Sequence, residues 1–260
     1  MRRQHAGFTL IELIMVIILL AIVATISVRF VALSTGSAID TGARQQRSLA
    51  GVVISEQITR ALRNALPTSV RSNGACIEWM PTLAASNYLD LPKGASPDSF
   101  DAVSLASGAS ANGRIVVYGY GGTLYSTASP GPLSPPATVP AGSGPVTVTF
   151  DGGATHRFTG HSPERRFYVV DSPMTFCQSG RFLYRYRHYG VHGAIATGLP
   201  AAMPDREVLA ATLKPGSLAF NVVPPTLKRA AVVSFTFVLE DPGSGESTAV
   251  HQEVQIRNVP

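Results

Sequence analysis

An α+β fold, one long N-terminal helix packed on an antiparallel β-sheet head, is predicted by three features of the sequence. Residues 8–28 form a near-continuous apolar run in which Glu12 is the only ionisable side chain. A second stripe, Ile54, Ile58, Leu62 and Ala65-Leu66, recurs at helical spacing and stops at Pro67. From residue 68 onward, short segments rich in Val, Phe and Tyr are separated by turn residues, which is the grammar of β-strands.

Composition narrows the class. The chain has 260 residues, 45% of them hydrophobic and only 14% charged, which excludes a wholly disordered chain and departs from an ordinary soluble enzyme. Two cysteines exclude a disulfide-dense miniprotein and a four-thiolate zinc module. The net charge of +5 overstates the basic character. Without residues 1–7, which hold Arg2 and Arg3, nineteen basic residues face sixteen acidic ones and leave +3. Those charges are spread along the chain, whereas a nucleic-acid binder gathers them into a patch.

The apolar run is the strongest signal. As a helix, residues 8–28 would span about 31 Å, close to the hydrocarbon thickness of a bilayer. Arg2 and Arg3 precede it, so the positive-inside rule keeps the N-terminus cytoplasmic and sends the remainder outward. A plain signal anchor satisfies these facts. A secretory signal peptide cleaved near Ala24 fits less well, because its apolar region would be too long and would contain a carboxylate. Glu12 discriminates: an ionisable group in a membrane helix is costly and marks function by default, unless it simply reaches the headgroups.

Gly7-Phe8-Thr9-Leu10-Ile11-Glu12-Leu13, after a short basic leader, resembles the processing site of type IV prepilins and pseudopilins. The resemblance implies cleavage after Gly7 by a prepilin peptidase, N-methylation of Phe8, and an assembly role for Glu12. The chemistry is coherent. Cleavage creates a positive amine at Phe8, a buried cation needs a counter-ion, and Glu12 of a neighbouring subunit would supply one. Further stretches resemble minor pilins of MSHA-type pili: Ala65-Leu66-Pro67-Thr68-Ser69-Val70, Cys76-Ile77-Glu78-Trp79-Met80-Pro81, and Ser162 through Pro173 up to Cys177.

The expected organisation follows. Residues 1–7 are the leader, 8–35 the membrane-spanning and assembly half of the helix, and 36–66 its head-packing half. The helix is expected to be interrupted near Gly36 and Gly42. Residues 67–260 form the pilin-like head. Strands are expected at 114–120, 146–150, 166–171, 174–177 and 181–189, with a C-terminal hairpin from 232–239 and 249–259. The Pro/Gly-rich stretch 128–145 reads as a long flexible loop.

If the head lies beyond the inner membrane, Cys76 and Cys177 meet an oxidising compartment, and a disulfide between them is expected, two separate buried thiols being the alternative. Arg181, Arg185 and Arg187 fall on one face of a strand and Phe182, Tyr184 and Tyr186 on the other. The plain reading is a half-buried strand with its arginines in solvent; the sharper one is a cationic face for nucleic acid or anionic glycan. His188 and His192 are spaced for a metal only on a helix, and His156 and His161 lack nearby thiols or a carboxylate cluster, so no metal and no cofactor is expected. No nucleophile elbow, P-loop or H-E-x-x-H occurs, and Gly119-Tyr120-Gly121-Gly122 is a poor dinucleotide signal, so no enzyme is expected.

The resemblance therefore implies a minor pilin processed from the inner membrane and placed at the tip or initiation complex of a fibre. Its partners would be other minor and major pilins, the peptidase and the assembly platform. The alternatives are a minor pseudopilin of a type II secretion system and a membrane-anchored binding module.

Overall fold

A computed structural model describes residues 9–92, 96–106, 108–120 and 124–257. The chain divides into two units, residues 1–50 and residues 51–260.

The helix α1 covers Leu10–Arg63, 54 residues and about 81 Å of rise. The expected interruption is absent: Gly36 and Gly42 lie inside the helix with open space around them. Each glycine costs a helix interior about 1 kcal/mol relative to Ala, too little to break a run this long. Nearby hydroxyls also bond back along the helix, Thr41 Oγ1 to the Ser37 carbonyl at 2.8 Å and Thr25 Oγ1 to that of Ala21.

In the second unit the stripe behaves as its spacing predicts. Gly51, Ile54, Ile58, Thr59 and Leu62 are buried, while Val52 and Val53 on the other side are exposed. Gly51 is needed at close approach, since a Cβ there would meet Val250 at 3.0 Å and Leu239 at 3.5 Å. The helix stops at Arg63, two positions short of Ala65-Leu66, which are buried in extended backbone instead: Ala65 bridges Pro81, and Leu66 donates to the Met80 carbonyl at 2.9 Å. Pro67 heads a single 3-10 turn, Pro67–Ser69.

Among the described residues fourteen strands follow: β1 Arg71–Ser72, β2 Cys76–Trp79, β3 Thr82–Asp90, β4 Ser99–Val103, β5 Ala111–Val117, β6 Leu133–Val139 and β7 Pro145–Thr149 come first. Then come β8 Arg166–Val170, β9 Met174–Ser179, β10 Phe182–Tyr186, β11 Arg206–Ala210, β12 Ala219–Val223, β13 Ala231–Glu240 and β14 Ser247–Ile256. They form three antiparallel sheets, ordered β1-β2-β9-β10-β11, β6-β5-β8-β3-β4-β7 and β12-β13-β14.

The C-terminal hairpin is the plainest case of sequence dictating structure. Along β13 every second residue is buried (Ala231, Val233, Phe235, Phe237, Leu239), and β14 pairs with it over its full length. Its turn is set by Asp241, whose Oδ1 accepts the Gly243 N–H at 2.8 Å, and by Gly245 at φ 72°.

The stretch expected to be a flexible loop contains β6. Leu133, Ala137 and Val139 point inward and are fully buried, so alternation survives beneath the proline content. Two prolines are tolerated because β6 ends the sheet order, where a missing N–H breaks few ladder bonds. Ser134 repairs the irregular register, its Oγ accepting the Ile115 N–H at 2.9 Å. The sheet curls until Ala137 bridges Phe150, just past β7, enclosing a core of Tyr88, Phe100, Ile115, Phe150 and Phe167.

Candidate functional site

The apolar half of α1 begins with a cap. Thr9 Oγ1 accepts the Glu12 N–H at 3.4 Å, and the Thr9 carbonyl accepts from Glu12 at 3.1 Å and Leu13 at 3.2 Å. Thr-x-x-Glu is the sequence signature of a capping box, in which a threonine hydroxyl satisfies an orphan amide of the first turn. Sequence reasoning used Thr9 only as part of a motif; its spacing to Glu12 was the signal for this second role. Glu12 also places negative charge in the first turn, where the helix dipole favours it. Gly7 and Phe8 lie outside the described residues.

From Leu10 through Leu33 the large apolar side chains are exposed, Leu10 at 77% and Leu33 at 76%. The helix is long and apolar enough to cross a membrane, and no part of its most apolar stretch is buried within the chain. Glu12 is exposed among these residues. Such a surface requires lipid or other apolar helices around it.

In the head, Cys76 and Cys177 form a disulfide, directly opposite one another on β2 and β9 with Cα atoms 4.4 Å apart. Two positions further along β2 is a carboxylate that the sequence did not single out. Glu78 is completely buried. Arg71 on β1 pairs with it through Nη2 and donates from Nε at 2.6 Å, while Tyr189 donates its hydroxyl to the other oxygen at 2.8 Å. Tyr189 is also bonded to Thr175 at 2.5 Å. Arg71 further donates to the carbonyls of Gly193 at 2.6 Å and His192 at 2.7 Å, and lies 3.4 Å over the Tyr125 ring. Burial drives the Tyr125 and Tyr189 phenols far above their ordinary range, reinforced by the Glu78 charge, so both remain donors.

The expected arginine strand is shorter than predicted. β10 ends at Tyr186, because His188 at φ 57° and Gly190 at φ 83° turn the chain away. Tyr184 and Tyr186 are buried as expected, whereas Phe182 is 41% exposed. Two of the three arginines are engaged with carboxylates: Arg185 with its cross-strand neighbour Glu207, and Arg181 with Glu240 at 3.6 Å. Arg187 donates to the Pro204 carbonyl at 3.2 Å.

The histidines are individually placed. His188 Nδ1 lies 2.7 Å from Asp205, and His192 bonds the Tyr189 carbonyl at 2.7 Å. His156 is buried against Phe158, its Nε2 donating to the Gly131 carbonyl at 3.0 Å and its Nδ1 without a partner. Burial lowers its pKa, and the Gly131 carbonyl opposes that only in part. Above the ordinary histidine pKa of about 6.5 both folded and unfolded chains carry it neutral; below it the unfolded chain takes the proton first. Head stability should therefore fall as pH drops from about 6.5 through the lowered folded value. Thermal melts of the parent and His156→Phe between pH 7 and pH 5 check this, the variant losing less over the interval. An equal loss would mean that His156 carries none of the dependence.

Residues 2–28 match the prokaryotic N-terminal methylation motif. The match covers the basic N-terminal residues and the first apolar turns of α1, and it indicates a type IV pilin-like precursor of the kind processed by prepilin peptidase. No curated protein and no solved structure matches the chain.

Proposed function

We propose that this pilin-like precursor is a minor pilin, similar to MshO of MSHA-type pili, which is cleaved after Gly7, N-methylated at Phe8 and built into the tip or initiation complex of a fibre. The observation that carries the proposal is the methylation motif over 2–28 leading directly into a membrane-length helix with an exposed apolar surface. Before assembly, lipid covers that surface; afterwards the helices of other pilins do. Glu12 stands four residues from Phe8, so in a staggered bundle it can neutralise the amine of a neighbour and fix the axial offset. The subunit's role is structural, and its partners are other minor and major pilins, the peptidase and the inner-membrane assembly platform.

A large head suits a terminal position better than a repeated shaft lattice. The minor-pilin assignment rests on the short head motifs around 65–70, 76–81 and 162–177, where both cysteines of the disulfide and Glu78 itself also fall. A type II secretion pseudopilin uses the same processing chemistry and is the second reading.

Mass spectrometry of the mature chain from cells with and without the peptidase tests the proposal. The expected result is a chain beginning at N-methylated Phe8 only when the peptidase is present. An intact Met1 in competent cells removes it. In the same cells, Glu12→Ala should be cleaved normally yet be depleted from sheared fibres; normal incorporation would refute the pairing role of Glu12.

A further inference from the structure

We propose that a cationic groove at one end of the three-stranded sheet binds the carboxylate groups of an acidic polysaccharide. The groove is an open cleft of about 460 Å³, lined by Leu227, Lys228, Arg229, Ala230, Gln255 and Arg257. That volume lies in the range of small-ligand sites. Three cations converge on it from two chain segments, the β12–β13 turn and the end of β14.

The backbone holds these groups in place. Thr226 and Arg229 exchange hydrogen bonds at 2.9 and 3.2 Å, closing the turn so that Leu227 and Lys228 stand at its tip. Ala231 pairs with Ile256, which sets Ala230 and Arg257 next to one another just beyond the ladder. From Leu239, which faces Gly51, to Ala231 at the groove is about 27 Å along β13, so the cleft lies at the far end of the sheet from that contact.

Charge and chemistry choose the ligand. Lys228 and Arg257 are exposed and have no ion-pair or hydrogen-bond partner among the described residues, in contrast to Arg181 and Arg185. Glu253, four positions before Arg257 on β14, is not part of the wall. A guanidinium matches a carboxylate with two parallel N–H donors, and the Gln255 amide can serve the hydroxyls of a sugar beside it. Nucleic acid fits less well. No aromatic ring lines the cleft to stack a base, and duplex binders commonly neutralise about 6–10 phosphates, beyond the reach of three clustered cations.

The proposal adds a ligand to the fibre-end reading, yet is tested without assembly. Full-length protein in uncharged detergent is passed over immobilised polygalacturonate, uncharged agarose and duplex DNA. Retention is expected on polygalacturonate, weakening as salt rises, and falling about tenfold in Lys228→Gln/Arg257→Gln. Arg187→Gln, a half-buried cation elsewhere, should bind as the parent does. Circular dichroism melts confirm that each variant is folded, and the single variants Lys228→Gln and Arg257→Gln should each show an intermediate loss. Unchanged retention of the folded double variant overturns the proposal, as does tighter retention on DNA than on polygalacturonate. Failure here leaves processing at Gly7 untouched, because mass spectrometry reads that separately.

Discussion

Replacing Glu78 by Ala should lower the stability of the head by on the order of 3–5 kcal/mol, which for a domain of this size means a fall in Tm of roughly 6–20 °C. The reason lies in what remains behind. Arg71 would keep its charge beside an apolar gap, and Tyr189, held by burial as a proton donor, would lose its acceptor. Arg71→Ala should cost a similar amount by leaving the Glu78 carboxylate buried with one hydrogen bond. The double variant should cost clearly less than the two single losses together, since it removes charge and counter-charge at once. Urea unfolding of the four proteins measures this. A Glu78→Ala protein that melts within a degree of the parent would show that the cluster contributes nothing to folding.

The second large effect concerns the covalent link. Cys76 and Cys177 are separated by 101 positions, and closing a loop of that size restricts the unfolded chain by about 4–5 kcal/mol on chain-entropy grounds. Cys76→Ala/Cys177→Ala should therefore lose about 2–5 kcal/mol, the lower end applying if the unfolded chain retains structure. Thiol reductant should bring the parent's melt to that of the double variant while leaving the variant unmoved. A parent whose melting ignores complete reduction would contradict the estimate.

Whatever had a period was legible in the sequence. Ile54, Ile58 and Leu62 repeat every four residues and are buried as a stripe; Val233, Phe235 and Phe237 repeat every two and line one sheet face. The fold class and the disulfide followed from such local or chemical signals. β6 was obscured because Pro135 and Pro136 sit between Leu133 and Ala137, and composition outweighed a weak alternation. Gly36 and Gly42 misled in the opposite direction, since two glycines cost only about 2 kcal/mol together against a helix of 54 residues. The Glu78 cluster could not have been found. Its donors lie 7 and 111 positions away, at Arg71 and Tyr189, and only the pairing of β1 with β2 and the return of the chain after β10 unite them. The partners of the arginine strand were hidden for a related reason: Glu207 and Glu240, which engage Arg185 and Arg181, arrive from later strands.

The position of the disulfide also governs how the chain would carry a pull applied through α1. All six strands of the curled sheet, from Thr82 to Val170, fall between Cys76 and Cys177, and β2 and β9 adjoin at its base. Tension entering from α1 crosses from β2 to β9 through sulfur, so the curled sheet hangs off the force path like a slack loop beyond a knot. Roughly 330 Å of contour is thereby withheld from stretching, and a hard pull can lengthen only the chain before Cys76, α1 included, or after Cys177.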